Sequence, residues 1–212
     1  MTRIYLARHG TTDWNQEEIF RGRINCRLNE MGRAEARALA GAFQETSLEA
    51  IFSSPLSRAK ETAQAVAENH GLTVIAEPAF LDIDFGEWQG LPLKEVREKY
   101  SELYRTWLEK PQAVTFPGGE NITQVRDRAW EGLWRVVQSH AEKTVFIVTH
   151  RVVTKVLICA LLGLDIAHFW QIKQDTTAVN CFEYHRGSFL TSLINDTCHL
   201  KSIRGDEGMK DF

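Results

Sequence analysis

The chain has 212 residues, of which 43% are hydrophobic and 25% charged, with a net charge of -3. These values are typical of one soluble globular domain with a substantial core. The weak negative charge argues against a nucleic-acid or anionic membrane surface, and no apolar run is long enough to span a bilayer. The first apolar stretch is too short for a signal peptide, so we expect a cytoplasmic protein whose dispersed cysteines stay reduced.

The first part of the chain alternates short strands with helices. Strands are predicted over 3–7, 50–53 and 73–75. A helix is predicted over 31–44, with Asn29 as its N-cap. A second helix is predicted to start with Ser54 as cap and Pro55 at its first position, and to run to about Asn69 before Gly71 ends it.

The second part contains the strongest strand signal. Apolar spacing predicts one helix over 93–108 and another over 121–141, the latter with Asn121 and Gln124 as a capping box. The segment 144–149 is apolar throughout, as expected of a strand covered on both faces, and a helix over 151–162 follows it. Segments 178–184 and 189–194 predict a β-hairpin.

Strands that alternate with helices predict an α/β fold, a three-layer α/β/α sandwich with a mostly parallel sheet and an antiparallel C-terminal hairpin. We expect one domain over 1–203, with a small cap at about 80–120, and a loose tail over 204–212. The exposed hairpin edge suggests a homodimer as a hypothesis. In such sheets, ligands bind beyond the carboxyl ends of the strands, so the polar residues there matter most.

Two histidines and two arginines follow three of these strands. Arg8 and His9 follow the first strand, Arg58 lies shortly after the second, and His150 follows the strand 144–149. Arginine binds phosphate through bidentate, charge-assisted hydrogen bonds, and a neutral imidazole is a competent nucleophile near neutral pH. Each residue alone would fit a structural role, but their combination favours a phosphate site.

Seven segments carry a pattern that extends over nearly the whole chain. They are LARHGTTDWN (6–15), RG (21–22), LNEMG (28–32), SSPLSRAKETA (53–63), DFGEWQG (84–90), PGGE (117–120) and VTH (148–150). In this order they resemble the histidine phosphatase superfamily, in the branch that contains the cofactor-dependent phosphoglycerate mutases. Within it the chain looks most similar to the metal-independent phosphoserine phosphatases and the α-ribazole phosphatases.

The resemblance implies a phosphoglycerate mutase-like fold and a phosphatase that needs neither metal nor cofactor. It makes His9 the nucleophile, which becomes phosphohistidine. Arg8, Arg58 and His150 are implied to bind the phosphoryl group, and Asn15 to contact phosphate or substrate. Two arginines and a histidine can supply the charge stabilisation that phosphoryl transfer requires.

A general acid must protonate the departing alkoxide. The family usually has a glutamate shortly before the glycine-containing motif, and the matching residue in this chain is the shorter Asp82. Glu87 is the alternative acid, and Asp84 is expected to be structural.

The substrate stays open. Segments 159–163 and 194–200 resemble phosphoserine phosphatases, where a tail histidine reaches the substrate, so His199 is either such a contact or only holds the tail on the domain. Phe85 stands where those enzymes have a substrate-binding histidine, and an aromatic residue there resembles the α-ribazole and broad-specificity phosphatases. Arg21 would contact a carboxylate or second phosphate, or pair with an acidic neighbour. Gly22 and Thr149 complete the implied substrate-binding residues.

A small phosphate monoester is therefore the expected partner. Neither nucleic acid nor a membrane is expected as a partner, because the chain has a weak negative charge and no long apolar run. The region 90–120 is short compared with the mutases, which predicts an open site and favours hydrolysis. A cofactor-dependent phosphoglycerate mutase is the alternative. The alternative of another class is a non-catalytic module that binds a phosphorylated ligand on the same fold. Such a module is expected to lack at least one catalytic residue, whereas His9, Arg8, Arg58 and His150 are all present.

Overall fold

The computed structural model describes residues 1–204, so the predicted tail beyond Arg204 lies outside the described residues. The strands are β1 (Thr2–Arg8), β2 (Ala50–Ser53), β3 (Val74–Ala76), β4 (Thr144–Thr149), β5 (Val179–His185) and β6 (Ser188–Asp196). They form one sheet in the order β3-β2-β4-β1-β5-β6. The first four strands are parallel to one another, whereas β5 runs antiparallel to β1 and to β6. The predicted mostly parallel sheet with a C-terminal hairpin is confirmed.

Helices cover both faces of this sheet. They are α1 (Asp13–Gln16), α2 (Glu30–Phe43), α3 (Ser57–His70), α4 (Leu93–Lys99), α5 (Ser101–Glu109), α6 (Ile122–Ser139), α7 (Arg151–Leu161) and α8 (Lys201–Arg204). Within residues 1–204, no helix has both the length and the apolar character that a membrane span requires.

Adjacent residues of the central strand face two different cores. In β4, Val145 and Ile147 pack into the larger core with α6 and α7, whereas Phe146 and Val148 pack into the smaller core with α2 and α3. A strand whose successive side chains alternate between two buried faces must be apolar throughout. This explains the continuous apolar run of 144–149 and confirms the predicted sandwich.

Helix termini are largely as predicted. The Asn29 side chain accepts a hydrogen bond from the Gly32 amide at 2.9 Å and caps α2. Asn121 and Gln124 form the predicted capping box at the start of α6. Gly71 ends α3 in the left-handed region, with φ of 63°.

Two helix predictions differ from the structure, one by an internal break and one at its first residue. The helix predicted over 93–108 is broken at Tyr100, where φ of -125° and ψ of 38° leave the helical region and separate α4 from α5. The Tyr100 hydroxyl donates to Glu87 at 2.9 Å, outside either helix. Helix α3 begins at Ser57 rather than Pro55, because Leu56 is extended and the Ser54 hydroxyl contacts His150 instead of capping the helix.

Candidate active site

Strand register brings three loops together at the carboxyl ends of the parallel strands. Arg8 of β1 is level with Thr149 of β4, and Ser53 of β2 is level with Val148. The residues that follow these positions therefore meet at one edge of the sheet. His9 follows β1 directly, and its ring centroid lies 5.2 Å from that of His150, which follows β4.

His9 is held in one tautomer by the backbone. Its Nδ1 lies 2.7 Å from the carbonyl oxygen of Gly10. A carbonyl oxygen can only accept, so Nδ1 carries the proton and Nε2 carries the lone pair. Arg58 donates from Nε to this Nε2 at 3.2 Å. The nitrogen that is free to attack an electrophile is thus already beside a guanidinium group.

Burial and positive charge keep His9 neutral. The side chain is 1% exposed. Burial lowers the pKa of His9 well below its ordinary value, and the nearby guanidinium groups of Arg58, Arg8 and Arg21 lower it further. A neutral imidazole at physiological pH is the form that can act as a nucleophile.

Arg58 is bonded through three of its nitrogen atoms. Its Nη2 donates to the carbonyl oxygen of Gly22 at 2.7 Å and to Oδ2 of Asp82 at 3.0 Å, and its Nη1 donates to the carbonyl oxygen of Ile24 at 3.0 Å. The side chain is fully buried. Since both ends of the guanidinium are fixed, its charge has a defined position next to Nε2 of His9.

Arg8 is also fully buried. Its Nη1 donates to the carbonyl oxygen of Gln174 at 2.7 Å. The side chain of Gln174 is itself fixed, because it exchanges hydrogen bonds of 2.9 Å with Asn180 of β5. The antiparallel hairpin thereby orients an arginine at the end of β1.

The ring of His150 lies between the hydroxyl of Ser54 and the carboxylate of Asp82. Its Nε2 lies 2.7 Å from the Ser54 hydroxyl, and its Nδ1 lies 3.6 Å from Oδ2 of Asp82. The Ser54 oxygen also accepts from the Leu56 amide at 3.3 Å, and it keeps one hydrogen and one lone pair with which it can pair with either tautomer of His150. Burial lowers the pKa of His150 well below its ordinary value, and the Arg58 charge adds to this.

Of these groups, His9 and Asp82 line a small, tight pocket. Its lining residues are His9, Ile19, Phe20, Arg21, Gly22, Asp82, Phe85, Arg151 and Val152. One wall is apolar, because the rings of Phe20 and Phe85 pack edge to face with centroids 5.2 Å apart. Two further cations, Arg21 and Arg151, face the same space and can accommodate an anionic ligand.

Glycine is required at one position of this pocket. Gly22 has φ of 51°, and a Cβ at this position would lie 2.3 Å from Oε1 of Gln89. Its carbonyl oxygen is one of the acceptors that fix Arg58. The predicted participation of Gly22 therefore takes the form of a backbone contact to Arg58.

Three of the predicted substrate contacts have other partners. Asn15 uses its Oδ1 to accept from the amide and hydroxyl of Thr12 in the capping box of α1, at 3.0 and 2.9 Å. The Thr149 hydroxyl donates to the carbonyl oxygen of Phe80 at 2.8 Å. His199 lies 3.2 Å from the Thr177 hydroxyl and lines a separate cavity, which favours the alternative that it holds the tail.

The alternative acid lies outside the pocket. Glu87 is exposed, and its carboxylate accepts from Tyr100. Asp82 lines the pocket with His9 and is 6% exposed. Asp84 accepts from the Gly86 amide at 2.9 Å, in keeping with its expected structural role. The geometry therefore favours Asp82 over Glu87.

Glu35 and Gln174 contribute to the site but are not predicted from the sequence. The buried carboxylate of Glu35 accepts from the amide and the hydroxyl of Thr11, each at 2.8 Å, and thus fixes the loop after His9. A charged residue on the apolar face of α2, next to Ala36 and Leu39, is a signal that would have found it. Gln174 lies in an irregular segment, and no periodicity in the sequence marks it.

The family of the chain follows from comparison with known proteins. Residues 4–197 match the model of the histidine phosphatase superfamily (branch 1). The chain belongs to this superfamily, and it is a phosphatase. The fold, with its mostly parallel sheet and antiparallel C-terminal hairpin, is that of its phosphoglycerate mutase-like members.

Individual relatives are similar over nearly their whole length. The chain is 36% identical over 200 residues to phosphoserine phosphatase 1 of Hydrogenobacter thermophilus, covering 94% of this chain and 95% of the relative. The structure of YhfR of Bacillus stearothermophilus has a TM-score of 0.91 at 31% identity, covering 94% of this chain and 100% of that one. A mycobacterial glucosyl-3-phosphoglycerate phosphatase has a TM-score of 0.85 at 27% identity, covering 92% and 99%.

Proposed function

We propose that this phosphatase hydrolyses a small phosphorylated metabolite without a metal ion, through a phosphohistidine on His9. The observation that carries the proposal is the state of the His9 ring. Its Nδ1 proton is committed to Gly10, so the lone pair of Nε2 is available next to Arg58 in a pocket. Buried, fixed guanidinium groups can bind the three phosphoryl oxygens and stabilise their charge during transfer.

The first half-reaction transfers the phosphoryl group to the enzyme. The phosphate monoester, entering as its monoanion, gives its proton to the Asp82 carboxylate, which pairs with Arg58 in the free enzyme. Nε2 of His9 then attacks phosphorus, the bond from phosphorus to the ester oxygen breaks, and the leaving alkoxide takes the proton from Asp82. As Nε2 of His9 bonds phosphorus, the Nε–H of Arg58 beside it is released to a phosphoryl oxygen, while Nη1 and Nη2 keep their bonds to the carbonyl oxygens of Ile24 and Gly22. Nδ1 of His150 lies 3.6 Å from Oδ2 of Asp82, and the tautomer that carries its proton on Nδ1 can donate to another phosphoryl oxygen.

The second half-reaction restores the enzyme. A water molecule attacks phosphorus of phosphohistidine and gives its proton to the Asp82 carboxylate, while the bond from phosphorus to Nε2 breaks. Inorganic phosphate leaves, and His9 is neutral again. Asp82 thus acts first as acid and then as base, as microscopic reversibility of the two steps suggests.

The pocket supports a metabolite with a second anionic group. Arg21 and Arg151 line it together with His9. A carboxylate on the leaving group would be recognised by such arginines. Phosphoserine has one, and a relative of 36% identity is named phosphoserine phosphatase. The apolar wall of Phe20 and Phe85 keeps α-ribazole phosphate as the alternative substrate.

The experiment is phosphate release in the presence of EDTA from a panel of L-phosphoserine, α-ribazole phosphate, 3-phosphoglycerate and p-nitrophenyl phosphate. A hundredfold preference in kcat/KM for one substrate, about 2.7 kcal/mol of differential transition-state stabilisation, would identify a dedicated phosphatase. His9→Gln should abolish both turnover and the acid-labile phosphoenzyme. Loss of activity in EDTA, or isomerisation of 3-phosphoglycerate in place of phosphate release, would contradict the proposal.

A further inference from the structure

The segment that carries Asp82 is held through its backbone by one arginine of α6. Nη1 of Arg128 donates to the carbonyl oxygens of Ala79 at 2.8 Å and Leu81 at 2.7 Å. Its Nη2 donates to the carbonyl oxygen of Asp82 at 3.0 Å. A single guanidinium thus bonds three carbonyls within four residues.

The remaining carbonyl of this segment is also bonded by a side chain. The Phe80 oxygen accepts from the Thr149 hydroxyl at 2.8 Å. Four consecutive carbonyls, of residues 79–82, therefore accept hydrogen bonds from side chains of α6 and of the end of β4, and the Asp82 carbonyl also accepts from Nε of Arg23 at 3.5 Å. The position of Asp82 is consequently set by its main chain as well as by its ion pair with Arg58.

Glu120 fixes the orientation of Arg128. The two groups form a bidentate pair, with Nε to Oε1 and Nη2 to Oε2 both at 3.0 Å. Oε2 also accepts from the Asp84 amide at 3.0 Å, and Oε1 from Arg23 at 2.9 Å. Although burial raises the pKa of Glu120, the hydrogen bonds from Arg128 and the Asp84 amide outweigh it and lower the pKa below its ordinary value.

The glycines before Glu120 allow its loop to reach the Asp82 segment. A Cβ on Gly119 would lie 2.3 Å from the carbonyl oxygen of Asp84, and a Cβ on Gly86 would lie 2.0 Å from that of Pro117. The two loops therefore touch backbone to backbone. The segment 117–120 contains no proposed catalytic group. Its contact with the loop after Asp82 gives it a structural role next to the active site.

We infer that Arg128, oriented by Glu120, is a positioning residue for the general acid Asp82, an inference that rests on the proposed function. The proton of Asp82 must reach the leaving oxygen at hydrogen-bond distance, and small displacements of a catalytic group lower rates strongly. The guanidinium of Arg128 does not line the pocket, although its positive charge adds to the lowering of the pKa of His150. It acts on the reaction by holding the main chain that carries the acid.

A positioning role predicts a dependence on the leaving group. An alkoxide needs a proton as it departs, whereas p-nitrophenolate is stable without one. Damage to the acid should therefore lower kcat/KM for an alkyl ester much more than for an aryl ester. A general loss of structure would lower both values together, and kcat/KM reports only the steps through loss of the leaving group.

The experiment compares benzyl phosphate with p-nitrophenyl phosphate, which are similar in size, using Arg128→Met, Asp82→Asn and the control Arg126→Met. Arg126 lies on the same helix and pairs with the exposed Asp127 at 2.7 Å. We expect Arg128→Met and Asp82→Asn to lower kcat/KM for benzyl phosphate at least about tenfold more than for p-nitrophenyl phosphate. Arg126→Met should change neither value.

A second variant, Arg128→Lys, keeps the inference testable if Arg128→Met does not fold. Arg128→Lys keeps a cation beside Glu120, but an ammonium cannot replace a planar fork that serves three carbonyls and a carboxylate. It should show the same selective loss, and its remaining turnover of p-nitrophenyl phosphate would show that the site is folded.

The outcomes separate the inference from the proposed function. Equal losses on both esters, or no loss, in the Arg128 variants would overturn the positioning role while Asp82→Asn remains selective. Equal losses in Asp82→Asn would reject Asp82 as the acid and the role of Arg128 with it. Turnover retained by His9→Gln would instead reject the phosphohistidine route.

Discussion

The Nδ1 nitrogen of His9 lies 2.7 Å from the carbonyl oxygen of Gly10, and this distance selects the nitrogen that can attack phosphorus. Gly10 is itself fixed, since its amide donates to the Thr62 hydroxyl of α3 at 3.0 Å. The tautomer of the proposed nucleophile is therefore established by the backbone of its own loop and by a helix that packs on the sheet. Preorganisation of this kind requires no rearrangement of the ring when substrate binds.

Both buried histidines should make stability depend on pH. Burial lowers the pKa values of His9 and His150 in the folded chain, so in the unfolded chain they bind protons more readily. Their contribution to stability is present above the unfolded value of about 6.5 and is lost as pH falls below it towards the folded values. Wild type should show a lower Tm at about pH 5.5 than at about pH 7.5.

The control is the double variant His9→Gln/His150→Gln, which cannot bind these protons. Its Tm should fall less over the same interval. An equal fall in both proteins would show that other groups govern this pH range. NMR of the wild-type imidazoles gives a direct check, because titration of His9 near its ordinary pKa would contradict the effect of burial.

The two candidate acids should differ sharply. Asp82 lines the pocket and pairs with Arg58 at 3.0 Å, whereas Glu87 is exposed and bonds Tyr100. Since general acid catalysis contributes about 10²- to 10⁴-fold, Asp82→Asn should lower kcat/KM for phosphoserine by at least about a hundredfold. Glu87→Gln should leave it nearly unchanged. A larger loss in Glu87→Gln than in Asp82→Asn would reverse the assignment.

Replacement of His199 should have little effect on activity. The side chain lines a cavity separate from that of His9, and its ring bonds the Thr177 hydroxyl at 3.2 Å. We expect His199→Ala to cost about 1 kcal/mol of unfolding free energy, as for a lost hydrogen bond, with kcat/KM for phosphoserine changed less than about threefold. Arg21→Met, a variant in the pocket lining, should raise KM. A strong rise in KM for His199→Ala would restore the tail histidine as a substrate contact.

Sequence patterns predicted the elements that local chemistry determines. The apolar run 144–149 is β4, and Asn29 and Asn121 cap the helices that they were expected to cap. Strand order along the chain then placed His9 and His150 at one edge of the sheet, which the register confirms.

Tertiary contacts determine the features of the fold and the site that sequence patterns did not predict. The break at Tyr100 interrupts a continuous helical pattern, and Ser54 has a good capping sequence yet bonds His150. The partners of a side chain such as Arg128, with acceptors about 46 to 49 positions away, follow from packing alone. Local propensity contains no information on such distances along the chain.

A glycine outside the catalytic residues should prove essential for the nucleophile loop. Gly32 of α2 lies so close to this loop that a Cβ would be 2.0 Å from the carbonyl oxygen of Thr11. Gly32→Ala must displace Thr11, which Glu35 also holds, and with it the segment that follows His9. We expect a cost of about 1–3 kcal/mol in unfolding free energy, as for overpacking, and a lower kcat/KM for p-nitrophenyl phosphate.

Gly41 on the same helix provides the matched control. A Cβ there would meet nothing within 4 Å, so Gly41→Ala only removes backbone freedom from the unfolded chain. It should raise the unfolding free energy by about 0.5 kcal/mol and leave kcat/KM unchanged. Chemical denaturation and initial rates measure both quantities. Unchanged kcat/KM in Gly32→Ala would mean that the nucleophile loop shifts without moving Nε2 of His9, and close packing at Gly32 would then matter only for stability.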